Sequence, residues 1–190
     1  MATRRVDPER RDRIVRAATE LIAEEGVAGT SHRKVAARAD VPLGSMTYHF
    51  GSIDEVLREV FTRFARSVSE RFAERMATAG SFGEAQQAVV ALIHDEVFGS
   101  QRDLVLTHEL YTLAARDPAY RDLTREWMRR SRAALGLHFD PDTSRQLDAL
   151  IEGLTIHRAL DTDPHDRALT ADAVRRISQE SERTDPSGRA

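Results

Sequence analysis

Between residues 31 and 50 the chain sets out groups that can donate to oxyanions and read the edges of bases. Ser31, His32, Arg33, Lys34 and Arg38 share one short stretch; Leu43, Gly44, Ser45, Thr47, Tyr48 and His49 share the next. Hydroxyl, imidazole, ammonium and guanidinium groups donate hydrogen bonds to phosphate oxygens, as does a helix N-terminus. Gly44 allows the backbone a close approach to a base edge. Thr47 offers a methyl to thymine or a hydroxyl to several bases. The chemistry is that of nucleic-acid contact.

Bond-making chemistry finds no comparable support. The sequence has no glycine-rich phosphate loop, no nucleophile elbow and no HExxH pair. His94-Asp95-Glu96 and His108-Glu109 are sequence neighbours, which a helix turns to different sides. His157 and Asp161 stand at i, i+4, a spacing that can hold a metal, but no third ligand accompanies them and a solvated pair is the expected reading. The expectation is no catalytic residue, no metal site and no cofactor. With no cysteine, disulfides and thiolate sites are excluded.

The elements that must carry these groups are helices almost throughout, so the fold class read from the pattern is all-α. Asp7 with Pro8 behind it marks a helix start. Ile14, Ala17, Ala18, Leu21 and Ile22 then form one apolar stripe at helical spacing, ended by Gly26. Thr30 or Ser31 caps a short helix through Ala39, Val41-Pro42 breaks it, and a second short helix runs over about 43–49. Ser52 with Glu55 makes a capping box that opens a long helix over about 53–77. Further helices are predicted at about 82–98, 102–116, 118–137, 143–161 and 170–180. Two short helices packed on a longer first one make a helix-turn-helix. Val35, Ala36, Ala39, Met46 and Phe50 are its expected inward positions.

Charge fits this division. Residues 1–52 carry nine Arg or Lys against seven acids, and the remainder 19 against 24, a mildly basic head on an acidic body. No apolar run approaches the roughly 20 residues of a membrane span. A charged N-terminus followed by no apolar stretch leads to the expectation of a cytoplasmic protein.

The run SHRKVAARADVPLGSMTYHFGSIDEVL, ending in G-S-x-x-Y-H-F-G-S-x-x-E-x-L, resembles the DNA-binding signature of the TetR family of bacterial transcriptional regulators, over about residues 10–57. HELYTLAARDPAYRDL and ALIEGLTIHRALDTDP are similar, more weakly, to the C-terminal domain of many such regulators. The resemblance implies a three-helix head over 1–52, a larger helical ligand-binding and dimerisation domain over 53–180, and leaves 181–190 as a disordered tail. It implies as partners double-stranded operator DNA, a small-molecule effector and a second copy of the chain. Residue by residue, it gives Arg33 a base contact, places Leu43, Gly44 and Thr47 over base edges, and sets Ser31, Ser45, Tyr48 and His49 against phosphates. The family often has Lys at the position of Leu43, Tyr at that of Thr47 and Lys at that of Ile53. The operator therefore cannot be borrowed from a relative. Arg4 and Arg5 could replace a lost phosphate contact as an arm. Phe50 is expected in the core instead, Tyr48 and His49 have packing or capping as alternatives, and Arg33 and Arg38 could be plain surface charges.

For an effector pocket the sequence offers polar groups among apolar helical faces: His94 beside Val90, Ile93 and Val97, then His108 with Tyr111 one turn on, Trp127, and His157. Phe64, Phe72 and Met76 are expected as apolar wall. Leu147, Leu150, Ile151, Leu154 and Leu160 form a stripe broad enough for both core and a subunit interface, with Gly153 for close approach. The competing readings are an all-helical small-molecule binding or enzymatic protein with an incidental helix-turn-helix, and a nonspecific architectural DNA binder, which the acidic body disfavours.

Overall fold

The computed structural model describes residues 9–96 and 100–184, and every regular element among them is helical. In chain order these are α1 (Arg10–Gly29), α2 (His32–Arg38), α3 (Leu43–His49), α4 (Ile53–Ala77), α5 (Phe82–Ala91), α6 (Gln101–Arg116), α7 (Pro118–Leu135), α8 (Pro141–Leu160) and α9 (Arg167–Thr184). A π-helical turn, Leu92–Glu96, prolongs α5. Asp7, Pro8, Arg4, Arg5 and Val97 lie outside the described residues. So does 185–190; α9 itself runs four residues past the boundary at 180 read from the sequence.

Local chemistry sets the helix starts. Ser31, Ser52, Ser81 and Ser100 each accept a hydrogen bond from the backbone N–H three residues on. Asp117 and Asp140 cap α7 and α8, each with proline in the first turn. At Ser52 the partner acid behaves as expected: Glu55 accepts from the Gly51 N–H at 2.7 Å. Thr30 is not the cap of α2; its hydroxyl donates to the Gly26 carbonyl at 2.9 Å. Gly26 adopts φ +72°, so the main run of α1 does end there, with a further turn reaching Gly29. A second left-handed residue, Asp40 at φ 52°, turns the chain between α2 and α3. A short polar side chain tolerates that conformation.

The interior has two apolar clusters. One joins the head to the body: Ile14, Ala18 and Ile22 of α1, Val35, Met46 and Phe50, then Phe61, Leu106, Leu110, Tyr120 and Trp127. The other lies at the far end, with Phe72, Met76, Val89, Leu135, Leu147, Ile151 and Val174. The head therefore shares a core with the helices that follow it. A charged seam reinforces the joint. Glu59 of α4 accepts from Arg11 at 2.8 Å and Arg63 at 2.7 Å, and Arg63 also reaches Asp12 at 2.7 Å. The Arg11 guanidinium lies 4.9 Å from the centroid of the Phe50 ring. Farther up, the hydroxyl of the buried Tyr120 donates to Asp54 at 2.7 Å, pinning α7 to the first turn of α4. Burial and that hydrogen bond hold its phenol proton far above the usual range.

Candidate nucleic-acid interface and ligand cavity

The helix α3 is anchored on one side and bare on the other. Met46 and, just past its end, Phe50 are buried; Leu43 is 53 % and Tyr48 80 % exposed. A large aromatic ring held in water by a seven-residue helix gains little within the subunit, which leaves this face free for an outside partner. The Tyr48 ring meets His49 edge-on at 5.0 Å, which orients both. The Thr47 hydroxyl donates to the Gly44 carbonyl at 3.1 Å, spending its proton inside the helix and leaving its methyl and a lone pair. Around Gly44 a Cβ would meet nothing within 4 Å, so that part of the helix surface is open.

Not every residue in the run faces out. Ser45 is buried beside Met46, contrary to the outward position expected of it, because so short a helix is gripped along more than one line of residues. His32 is half-buried and its Nε2 has no hydrogen-bond partner. Arg38 is taken up by α1: its guanidinium holds both Glu24 oxygens, at 2.9 and 2.6 Å, and approaches Glu20 at 3.7 Å. Lys34 bonds Glu25 at 2.5 Å and the Gly29 carbonyl at 2.9 Å. Arg33, by contrast, is exposed and without a partner among the described residues. Ser31 is exposed and half-committed as the cap of α2. One positive side chain, one hydroxyl and the outward row Leu43, Gly44, Thr47, Tyr48 thus share the free surface, with His49 at its edge.

The second region is a cavity of about 40 Å³ between α4, α6, α7 and α8, lined by Val68, Phe72, Tyr111, Trp127, Met128, Ser131, Asp148, Ile151 and Glu152. That is room for little more than water, so a larger molecule enters only by moving the walls. Tyr111 and Trp127 lie with ring centroids 6.1 Å apart and planes 24° from parallel. Phe64 braces Trp127 edge-on from behind, at 5.8 Å and 88°. Burial first, and then the negative charge of Glu152 close by, hold the Tyr111 proton far above the usual phenol range. Burial also pushes the Asp148 carboxyl up to about 6, against the pull of Arg132, whose Nε stands 4.0 Å away.

Of the six pocket residues expected from sequence, Phe72, Tyr111 and Trp127 line this cavity, and Phe64 stands one layer behind. The two histidines do not. His94 shares a 2.9 Å hydrogen bond with Thr170 of α9, and burial with nearby Arg167 lowers its pKa. His108 turns its Nδ1 to the Leu104 carbonyl at 2.8 Å, a bond inside its own helix. A histidine among apolar helical positions marks burial; which cavity it faces is decided by helix packing. Met76 is buried in the far cluster and His157 is exposed. No group of three metal-ligating side chains exists among the described residues. Sequence reasoning missed Asp148 and Glu152, although two acids one turn apart repel on a free helix and so carried a signal.

The expected subunit stripe divides in two. Leu147 and Ile151 face the core, Leu150 and Leu154 are half-buried, and Leu160 is 63 % exposed, as is Leu169 of α9 at 70 %. A Cβ on Gly153 would meet nothing within 4 Å, so α8 is bare there. No described helix is long and apolar enough to cross a membrane.

Comparison with known proteins agrees with this geometry. A family model described as bacterial regulatory proteins, tetR family, matches residues 14–60, and one described as tetracyclin repressor-like, C-terminal domain, matches 84–180. A crystal structure of SCO7518 from Streptomyces coelicolor A3(2), a candidate transcriptional regulator, is 61% identical, with TM-score 0.85, covering 90% of this chain and 99% of that one. The multidrug binding protein EbrR, solved in complex with ethidium, is 33% identical with TM-score 0.74, covering 90% and 99%. The HTH-type transcriptional regulator BetI of Burkholderia mallei is 28% identical over 166 residues, 83% of this chain and 85% of that protein.

Proposed function

Because the chain belongs to the TetR family of bacterial regulatory proteins, we propose that it works as a homodimer whose paired α3 helices hold a near-palindromic operator until a small molecule fills the cavity of the body. As a member of that family it is a DNA-binding transcriptional regulator and not an enzyme. The observation that carries the reading is the bare face of α3, with Leu43 and Tyr48 in water over a buried Met46 and Phe50. We assign Leu43, Gly44 and Thr47 to base edges, with Arg33 beside them, and Ser31, Tyr48 and His49 to phosphates. Ser45 can serve only if α3 shifts on its bed. Residues 1–52 are the operator-binding head and 53–180 the effector and dimer body; the protein works where the chromosome is, in the cytoplasm. The exposed half of the α8–α9 stripe supports dimerisation, since Leu160 and Leu169 lack cover in one subunit.

EbrR binds ethidium, malachite green and proflavin in crystals, and its likeness to this chain supports an aromatic effector. Repression is the mode such release implies. The linkage runs through α6 and α7. Tyr111 and Trp127 line the cavity, while on the same two helices Glu109 abuts Gly26 of α1 and Tyr120 holds Asp54 of α4. A molecule that spreads the walls therefore moves the supports of the head. A mobility-shift assay with the DNA upstream of the chain's own gene tests the reading. The shift should survive excess nonspecific competitor, and an effector found by screening should abolish it. Loss of the shift to competitor would reject sequence-specific regulation.

A further inference from the structure

Arg33, Lys34 and Arg38 stand on α2, and α1 answers two of them. Arg38 lays its guanidinium across both Glu24 oxygens, at 2.9 and 2.6 Å, with Glu20 3.7 Å away. Lys34, one turn earlier on the same side of α2, bonds Glu25 at 2.5 Å and the Gly29 carbonyl at 2.9 Å. The acids do not serve α1 itself. Glu24 and Glu25 close its main run before Gly26, where a helix presents its negative end and a cation is the stabilising choice. Nor do they add much to the packing of α1 on α2, since Glu20, Glu24, Glu25, Lys34 and Arg38 are all exposed and ion pairs in water are weak. What they do is occupy their cations. The hydrogen bond between Glu24 and Arg38 lowers the pKa of the first and raises that of the second, so both stay charged.

Resting on the reading of α2 and α3 as the face that meets DNA, we propose that Glu20, Glu24 and Glu25 are an internal stand-in for phosphate, which holds Arg38 and Lys34 back and limits how firmly the head grips DNA of any sequence. A free cation that reaches a phosphate releases condensed counterions, and that release supplies most nonspecific affinity. A cation that must first leave a carboxylate exchanges one anionic partner for another and leaves an unpaired acid facing the phosphates. Its net gain is small. The head thus offers DNA the charge of Arg33 while two neighbouring cations are kept in check. Contact with phosphate carries no sequence information, so lifting this brake should tighten binding to all sequences alike and leave the preferred site unchanged.

The full chain and its variants are titrated onto a labelled generic duplex, and onto the DNA upstream of the chain's own gene, between about 50 and 200 mM salt. Glu20→Gln with Glu24→Gln frees Arg38, and Glu25→Gln frees Lys34. Each should tighten binding to the generic duplex about threefold or more at the lower salt, and steepen the logarithmic salt slope by roughly 0.9 for every cation that gains a phosphate. Loss of negative charge anywhere on the head also favours DNA, so each change is crossed with loss of its cation. In an Arg38→Ala or Lys34→Ala background the gain should vanish, while either alanine alone should change the parent's affinity less than about twofold. Melting curves show that the variants are folded. If the gain persists without the cation, the acids act through their field alone and the inference is overturned. It is overturned equally if either alanine variant weakens the parent as much as the glutamine variants strengthen it, since the cations would then already hold phosphate. Folded glutamine variants that bind no better, or worse, overturn it as well. Failure of the parent itself to bind either duplex rejects the reading of α2 and α3 as the DNA face, and the brake with it.

Discussion

The outward face of α3 and the cavity under α7 use opposite kinds of surface. On α2 and α3 the groups assigned to DNA stand in water: Arg33, Leu43, Thr47 and Tyr48 contribute almost nothing to the fold. In the cavity Tyr111, Asp148 and Glu152 are half-buried, and the burial of one acid, Asp148, works against the fold that covers it. Residues of the first kind can change through evolution with little effect on stability. Residues of the second kind hold free energy that a ligand can release, which is what coupling a cavity to a distant head requires. Specificity for DNA is thus an addition to the fold, while response to the effector is subtracted from its stability.

The largest effect expected to separate the two regions is salt. Several phosphate contacts on each of two heads release condensed counterions, so operator affinity should fall by on the order of 10³ or more between about 50 and 200 mM salt. Binding of a small aromatic molecule in the cavity should change only a few-fold, since it displaces no condensed counterions. Filter binding and Trp127 quenching across the same salt series test this. Parallel salt slopes would mean that both sites bind by displacing counterions.

Next is the step from surface to core within three residues. Phe50→Ala removes a buried ring under the Arg11 guanidinium and should cost about 3–5 kcal/mol in chemical denaturation. Tyr48→Ala should stay within about 0.5 kcal/mol, because its ring is in solvent already. A large loss for Tyr48→Ala would show that it packs in the free protein and is not held out for DNA.

Asp148 sharpens the comparison through pH. Its carboxyl is raised from 3.8 to about 6 by burial, helped by Glu152 and opposed by Arg132 and Arg145. Between about pH 4 and pH 6 the folded chain therefore binds this proton more firmly than the unfolded one. The stabilisation is full below that window and is lost as pH rises through 6. Asp148→Asn should consequently raise the melting temperature at neutral pH and lose that advantage near pH 4. A variant less stable than the parent at neutral pH would mean Arg132 matters more than burial.

How much of this was readable without coordinates also divides by region. In the head the signals are local. Ser52 with Glu55, Gly26 and the period of Ile14 to Ile22 each act within a turn, and the positions Val35, Ala36, Ala39, Met46 and Phe50 are all buried as expected. Ser45 escaped because the inward face of a seven-residue helix is set by what grips it. In the body the helices were legible within a few residues, but their rotation was not. Leu147 and Ile151 read as one stripe with Leu150 and Leu154, so nothing singled out Asp148 and Glu152, each one position further on. His94 and His108 drew attention by type; a tertiary bond to Thr170 holds the first, and a bond within its own helix the second.

The smallest expected effects lie within α3 itself, where two neighbouring hydroxyls should behave differently. The Thr47 hydroxyl is already bonded to the Gly44 carbonyl, so what it offers a base is chiefly a methyl group and one lone pair. Thr47→Ala should change which bases are tolerated, at the low end of the about 1–3 kcal/mol typical of a base contact, with nonspecific affinity nearly intact. Tyr48→Phe should weaken binding to all sequences alike, by about 0.5–1.5 kcal/mol, because a hydroxyl on phosphate positions the helix without reading sequence. Neither change opens a cavity, since both residues are exposed, so both variants should melt with the parent. Selection of preferred sites from a random DNA pool separates them. If Thr47→Ala returned the parental site and Tyr48→Phe a new one, the base-facing row of α3 would be turned by about one position, roughly 100° on a helix of 3.6 residues per turn. Base readout would then pass to Tyr48, whose ring is 80 % exposed, and the assignment of Leu43 and Gly44 would move with it.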